Sequence, residues 1–356
     1  MLSAIRLLLF PFSVLYGLVI RLRHFLFDTG VFKSESFSVP VICVGNIALG
    51  GAGKTPQTEY LVRLLQPHYK VAILSRGYGR QTRGYICATP QSTAADIGDE
   101  PMQYLQKFPG VTVAVSERRA PGLRLLASSH DVVILDDAYQ HRAVRPGYSL
   151  LLFDHNTLRR KQFLLPSGNL RDVFSARRRA DLMVVTKLPG PPSGAEKQLF
   201  EAVLEPRPGQ KIYYSGIWYA PPVSLLEEHA SPLRLDAGGH ALLLTGIANP
   251  LPLKSALRQR GWQIKHLAFK DHHPFDRKDL ENIIEEYKTL PTDKKVVLTT
   301  EKDAQRLLDE SLRDLLLNLP VYYIPIETAF FDEGESGFDL EILNYVKSAA
   351  RDRRLH

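Results

Sequence analysis

The chain has 356 residues, of which 44% are apolar and 23% charged, and a formal net charge of +7. These values exclude a disordered or low-complexity chain and suit either one large α/β domain with additions or two modest domains. Its two cysteines, Cys43 and Cys87, lie in apolar, strand-like contexts without metal or disulfide spacing, so both are expected to pack in a reducing compartment.

The first 27 residues stand apart. Leu7 to Ile20 carries no charge and is flanked by Arg6, Arg21, Arg23 and His24. Its fourteen residues fall short of a bilayer span, which takes roughly 20, and Pro11 interrupts a simple spanning helix. A secretory signal would end in a small-residue cleavage site, which is missing. The expected element is an N-terminal membrane-associating helix over residues 1–27, interfacial or shallowly inserted, with its arginines toward anionic headgroups. Packing of this helix on the protein's own core is the alternative.

From Pro40 onward, buried strands alternate with helical segments. Strands are expected at 41–44, 70–74, 111–115, 132–135, 150–153, 182–186 and 212–214, with crossover helices that include 58–65 and 118–128. Near-continuous apolar runs of this kind are the mark of parallel strands covered on both faces. A Pro- and Gly-rich stretch, LPGPPSG from Leu188 to Gly194, precedes a second series. There, strands are expected at 241–245, 263–267, 295–299 and 321–324, and helices at 251–260, 277–290, 303–316 and 339–348. The fold class is therefore α/β, a parallel-sheet nucleotide-binding domain over 28–215 with a second, smaller α/β domain over 216–356.

The strongest chemical signal is ICVGNIALGGAGKT, Ile42 to Thr55. An apolar strand, a glycine-dense turn and a helix start form the context in which Gly-Lys-Thr cradles phosphates. Backbone N–H groups of Gly50, Gly51, Ala52 and Gly53 can surround the phosphates. Lys54 can reach the β- and γ-phosphoryl oxygens, and the Thr55 hydroxyl can hold Mg2+. Ala48 occupies the position where the strict motif has its first glycine.

The strand DVVILDD ends in Asp136 and Asp137, where a nucleotide-bound Mg2+ is commonly held. Gln140 and His141 follow, as second-layer or substrate-facing groups. LSRGYGR offers Arg76 and Arg80 as anion contacts. In GDEP, Asp99 and Glu100 precede Pro101 and read, on spacing alone, as charges at a helix N-terminus. The basic run from Arg159 to Arg179 reads first as a solvated face, and nucleic acid is a second reading. No aromatic stripe accompanies these arginines, and an anionic headgroup or a phosphorylated substrate suits them together with the N-terminus. In FKDHHPF, one histidine oriented by a carboxylate for proton transfer is preferred to a zinc site. Thr300 of TTEKDAQR is expected to cap a helix.

Taken together, VGNIALGGAGKTP, LSRGYGR, GDEP, DDAYQHR, LLPSGNLRD, VTK at 185–187, FKDHHPF and TTEKDAQR resemble one family in this order, the tetraacyldisaccharide 4′-kinases of lipid A biosynthesis. The resemblance implies transfer of the γ-phosphoryl group of ATP, with Mg2+, to the 4′-hydroxyl of an acylated glucosamine disaccharide 1-phosphate. It implies work at the cytoplasmic face of the bacterial inner membrane, on an anionic membrane surface, with no nucleic acid and no obligate protein partner. It makes Lys54 and Asp99 catalytic, with His272 rather than His273 as the partner of Asp99, brought together from different domains across a hinge within 188–240. Arg119, Arg171 and Asp172 become acceptor or phosphate contacts alongside Arg76, Gln140 and His141. The rivals are another P-loop ATPase or a GTPase at a membrane, and a non-catalytic nucleotide-binding tether. VTKLP at 185–189 lacks the acid that guanine recognition requires.

Overall fold

The computed structural model describes residues 6, 8–226, 233–235, 238–247, 249–271, 273–292, 294–331 and 334–355. Its strands run β1 Val41–Asn46, β2 Val71–Ser75, β3 Ile86–Cys87, β4 Thr112–Val115, β5 Val132–Asp136, β6 Tyr148–Asp154, β7 Leu182–Leu188 and β8 Lys211–Tyr219. They continue with β9 Val223–Ser224, β10 Gly239–Thr245, β11 Trp262–Ala268, β12 Lys295–Thr300, β13 Val321–Ile324 and β14 Ile326–Phe330.

Among the described residues, nine strands form one sheet in the order β14-β8-β7-β6-β1-β5-β2-β4-β3. The run from β8 to β4 is parallel throughout, and the short β3 at one edge is antiparallel to its neighbour β4. Side chains of a strand alternate between faces, and β1 feeds two separate cores. Val41 and Cys43 join Leu123, Leu126, Phe200 and Leu204 on one face. Ile42 and Val44 join Leu61, Val62, Tyr104, Phe338, Ile342 and Val346 on the other. Burial on both faces is why these strands read as unbroken apolar runs.

The second sheet has the order β11-β10-β12-β13-β9, parallel except for β9. Its two sides are filled around Leu242, Leu244 and Ile283, and around Leu243, Trp262 and Ile324.

The chain divides into two compact units, residues 1–92, 104–217 and 328–356, and residues 93–103 and 218–327. The expected boundary near 215 agrees with the break after Ile217, but the assignment of all of 216–356 to a second domain does not. Strand β14 joins the large sheet beside β8, and the helix Gly334–Leu355 buries Phe338, Ile342 and Val346 in the first unit's core. Residues 93–103 carry Asp99 into the second unit, so Asp99 shares a unit with residues 218–327 rather than facing them across a hinge.

Three local differences have simple causes. The expected helix 303–316 is broken because Asp309 takes the Ser311 N–H and hydroxyl, which ends Glu301–Leu307 and starts a new turn. Pro11 sits in the first turn of the helix Phe10–Asp28 instead of interrupting it, where its missing N–H costs nothing. Cys43 is buried, its thiol pushed up to about 12 by burial, whereas Cys87 is exposed rather than packed.

The helix Phe10–Asp28 turns a narrow face inward. Ser13, Gly17, Ile20 and His24 are buried, at helical spacing. A Cβ on Gly17 would lie 2.8 Å from a Leu164 methyl, so the glycine permits close approach. Leu15, Leu18, Val19, Leu22 and Phe25 are each about 60% exposed on the remaining surface.

Candidate functional site

The site grows from the end of β1. Asn46 closes an otherwise apolar strand and is 1% exposed. Its Nδ2 donates to the Ala48 carbonyl at 2.7 Å. Its Oδ1 accepts from Lys54 Nζ at 3.3 Å and from Arg171 Nη2 at 2.6 Å. The loop then reaches Gly53, whose φ of 83° only glycine adopts without strain, and the helix Lys54–Leu65 begins. A Cβ on Gly50 would meet nothing within 4 Å, and one on Gly51 would meet only Lys187 Nζ, at 3.8 Å. The loop apex thus presents bare backbone.

Arg171 is brought to the loop by backbone pairing. Leu49 N donates to Asn169 O at 2.7 Å, and Arg171 N donates to Ile47 O at 2.8 Å. The LLPSGNLRD segment therefore runs antiparallel beside the start of the loop. The Arg171 guanidinium forks onto Asp137, with Nη1 3.1 Å from Oδ2 and Nη2 bonded to Oδ1. Lys54 Nζ lies 3.6 Å from the same carboxylate. Burial pushes the Asp137 carboxyl upward, but Lys54 and Arg171 outweigh it and hold the group below its ordinary value. Asp137 turns the chain with φ 45° at the end of β5, a left-handed conformation that aspartate tolerates better than most residues.

Asp136 is 1% exposed and accepts from the Ser75 hydroxyl at 3.3 Å. Arg119 is equally buried, with Nη1 donating to Ser116 O at 2.7 Å and Nη2 to Asp136 O at 3.4 Å. The Arg119 backbone N–H donates to His141 Nε2 at 3.3 Å, which assigns the neutral form with its proton on Nδ1. Burial, then Arg119, Arg23 and Arg76, push the His141 imidazole down to about 4. Gln140 Nε2 donates to the Asn46 carbonyl at 2.8 Å. Arg76 lies on the exposed loop after β2.

Among the described residues no cluster of three or more His, Cys, Asp or Glu side chains is assembled. Mg2+ is held by one or two carboxylates plus phosphates rather than by a protein cage, and Asp136 and Asp137 at the end of β5 supply carboxylates in that number. An open glycine loop with Lys54 at its mouth, beside two strand-end carboxylates, fits a nucleoside triphosphate with Mg2+.

Several sequence expectations are corrected. Asp172 is 1% exposed and inward-facing: Oδ1 takes His24 Nε2 at 2.7 Å and the Val173 N–H at 2.8 Å, and Oδ2 takes Arg179 at 3.4 Å. It braces the N-terminal helix through His24. Arg80 is bound to Glu117 and to the Gly84 carbonyl. Arg23 donates to the Gln140 carbonyl at 2.9 Å. The basic run is largely consumed internally, with Arg159 on Glu196, Arg177 on Glu205 and Leu204 O, and Arg179 over the Tyr139 ring.

In the second unit, Asp99 opens the helix Asp99–Lys107, and its Oδ2 accepts from Arg306 Nη2 at 2.8 Å and Nε at 3.2 Å. Arg306 is held in turn by Asp303, whose other oxygen takes the Thr300 hydroxyl and the Gly246 N–H. Glu100 pairs with Lys302 at 2.7 Å. Thr300 caps its helix as expected, accepting from Asp303 N. His273 Nε2 lies 2.7 Å from Asp279 and is committed to the helix that follows. His272 lies outside the described residues. Sequence reasoning missed Asn46 and Arg306. A polar residue ending an apolar strand was a signal for the first, but the second had none beyond its motif.

A family model described as tetraacyldisaccharide-1-P 4′-kinase matches residues 5–346. A relative from Bacteroides thetaiotaomicron named tetraacyldisaccharide 4′-kinase is 43% identical over 357 residues, covering 97% of this chain and 94% of that one. One of the same name from Flavobacterium johnsoniae is 41% identical, covering 97% and 98%. Among solved structures, LpxK from Aquifex aeolicus, crystallised with ATP, superposes with a TM-score of 0.74 at 27% identity, covering 96% of this chain and 99% of that one. A match over nearly the whole length, on a phosphate loop built as described, makes this chain a member of the tetraacyldisaccharide 4′-kinase family.

Proposed function

We propose that this chain is the ATP-dependent kinase that phosphorylates the 4′-hydroxyl of an acylated glucosamine disaccharide 1-phosphate in lipid A biosynthesis. The observation that carries this reading is the convergence of Lys54 and Arg171 on Asn46 and Asp137 beneath an open glycine loop.

ATP supplies the phosphoryl group when bound, and Mg2+ supplies neutralisation of its phosphate charge. The backbone of Gly50, Gly51, Ala52 and Gly53 would hold the phosphates, and Thr55, Asp136 and Asp137 would hold the metal. Asn46 and Asp137 keep the Lys54 ammonium and the Arg171 guanidinium in place before substrate arrives, so little reorganisation accompanies reaction. Arg119, fixed by Ser116 and Asp136, keeps a buried positive charge beside the carboxylates.

Asp99 is the proposed acceptor of the 4′-hydroxyl proton, with His272 as its partner. Arg306 holds the Asp99 carboxylate from two nitrogens, which is the positioning that proton transfer needs. The N-terminal helix is proposed to lie in the cytoplasmic face of the inner membrane. Its outward surface is apolar over Leu15, Leu18, Val19, Leu22 and Phe25, and only a narrow strip packs on the protein.

Incubation of purified protein with terminally labelled ATP and the disaccharide 1-phosphate, with and without Mg2+, tests the reaction. Label is expected in a bisphosphorylated lipid only when Mg2+ is present. Label released solely as inorganic phosphate would refute the assignment.

A further inference from the structure

The end of β7 carries a lysine that the roles above leave unused. Lys187 has φ 61°, a left-handed conformation that a non-glycine residue holds only when its surroundings impose it. The pairing of β7 with β8 shifts register between Val185 and Leu188, a bulge that re-aims the side chain. The result is specific. Lys187 Nζ lies 3.1 Å from Asp154 Oδ2 at the end of β6, and it is the one heavy atom within 4 Å of a Cβ built on Gly51. The preceding residue fixes this geometry. The buried Thr186 hydroxyl donates to Ala52 O at 2.9 Å and to Phe153 O at 3.2 Å, tying β6, β7 and the loop together. Three segments therefore meet to hold an ammonium group at the bare apex of the phosphate loop, with a carboxylate as its resting partner.

We infer that Lys187 is a second cationic contact for the nucleotide, reaching its ribose–phosphate oxygens from the loop apex while Lys54 serves the mouth of the helix. Asp154 orients the lysine and is a positioning residue. This inference rests on the kinase reading for the identity of the nucleotide, and MgADP is the probe because it binds without turnover.

Full-length protein in detergent is titrated with MgADP calorimetrically, and KM is measured for ATP and for the lipid. Loss of a charge-assisted hydrogen bond predicts about tenfold weaker ADP binding for Lys187→Ala. A similar rise in the KM for ATP is expected, with the KM for the lipid unmoved. Lys187→Arg should recover most of the affinity. Asp154→Asn retains the acceptor that caps the next helix at Asn156 N but releases the lysine from its ion pair, so ADP binding should persist. Unchanged ADP affinity in Lys187→Ala, or an equal loss in Asp154→Asn, overturns the inference, the latter by making the pair a brace. Wild-type protein that binds ADP but phosphorylates no lipid would instead sink the kinase reading and leave this contact standing.

Discussion

His24 Nε2 lies 2.7 Å from Asp172 Oδ1, and this buried pair ties the N-terminal helix to the segment that carries Arg171. The helix makes two more such ties, from Tyr16 Oη to the Arg171 carbonyl at 3.0 Å and from Arg23 to the Gln140 carbonyl. The helix proposed to lie on the membrane is thus bonded to the backbone of Arg171 and Gln140, whose side chains both reach Asn46. Removing one partner of a buried pair typically costs about 3–5 kcal/mol because the other charge or dipole is left stranded. Asp172→Ala is therefore expected to lower the thermal midpoint in detergent sharply, with Asp172→Asn milder. A raised lipid KM at unchanged thermal stability would instead make Asp172 a substrate contact.

In the proposed mechanism Arg306 acts through Asp99, which it grips from two nitrogens, so their variants should not add. Asp99→Ala is expected to depress turnover by about 100-fold or more, the range for a positioned acid–base group, with far less effect on the KM for ATP. Arg306→Lys keeps the charge but loses the planar two-nitrogen grip and should give a smaller loss of the same kind. If the double variant lost the product of the two single effects, the residues would be independent.

The two-sided apolar strands and the glycine loop were legible because each signal is local. β1 reads as an apolar run because Ile42 and Cys43 are both buried, on opposite faces. The Thr300 cap is likewise local, spanning three residues. The clamp on Asp99 was not legible: Arg306 lies 207 residues away in sequence, and no periodicity relates them. The return of Ile326–Phe330 to the large sheet was hidden for the same reason, since strand order is a long-range property. The burial of Asp172 against His24 was not legible either, because an acid within a basic run gives no local sign of being buried.

His141 supplies a pH signature. Its imidazole is pushed down to about 4 in the folded protein from an ordinary 6.5, so the unfolded chain binds the proton more readily. The stability it contributes is complete above the unfolded value and is lost as pH falls from about 6.5 through about 4. Thermal midpoints measured across this window should fall more steeply for the wild type than for His141→Gln. Parallel curves would mean that His141 titrates normally.

The outward face of the N-terminal helix should govern membrane attachment and leave folding alone. Leu15, Leu18 and Leu22 are each about 60% exposed, so their replacement by Gln removes little packing within the protein. Each leucine withdrawn from lipid forfeits up to about 1.5–3 kcal/mol of apolar burial, and binding of such helices scales with the apolar area they bury. The triple variant should leave the pellet when sedimented with anionic vesicles while keeping its thermal midpoint. Gly17→Leu should do the reverse, because its side chain would collide with Leu164 on the inner face: the midpoint falls as the apolar surface stays intact. Vesicle binding by the triple variant at wild-type strength would show that this face is not what holds the protein to the membrane.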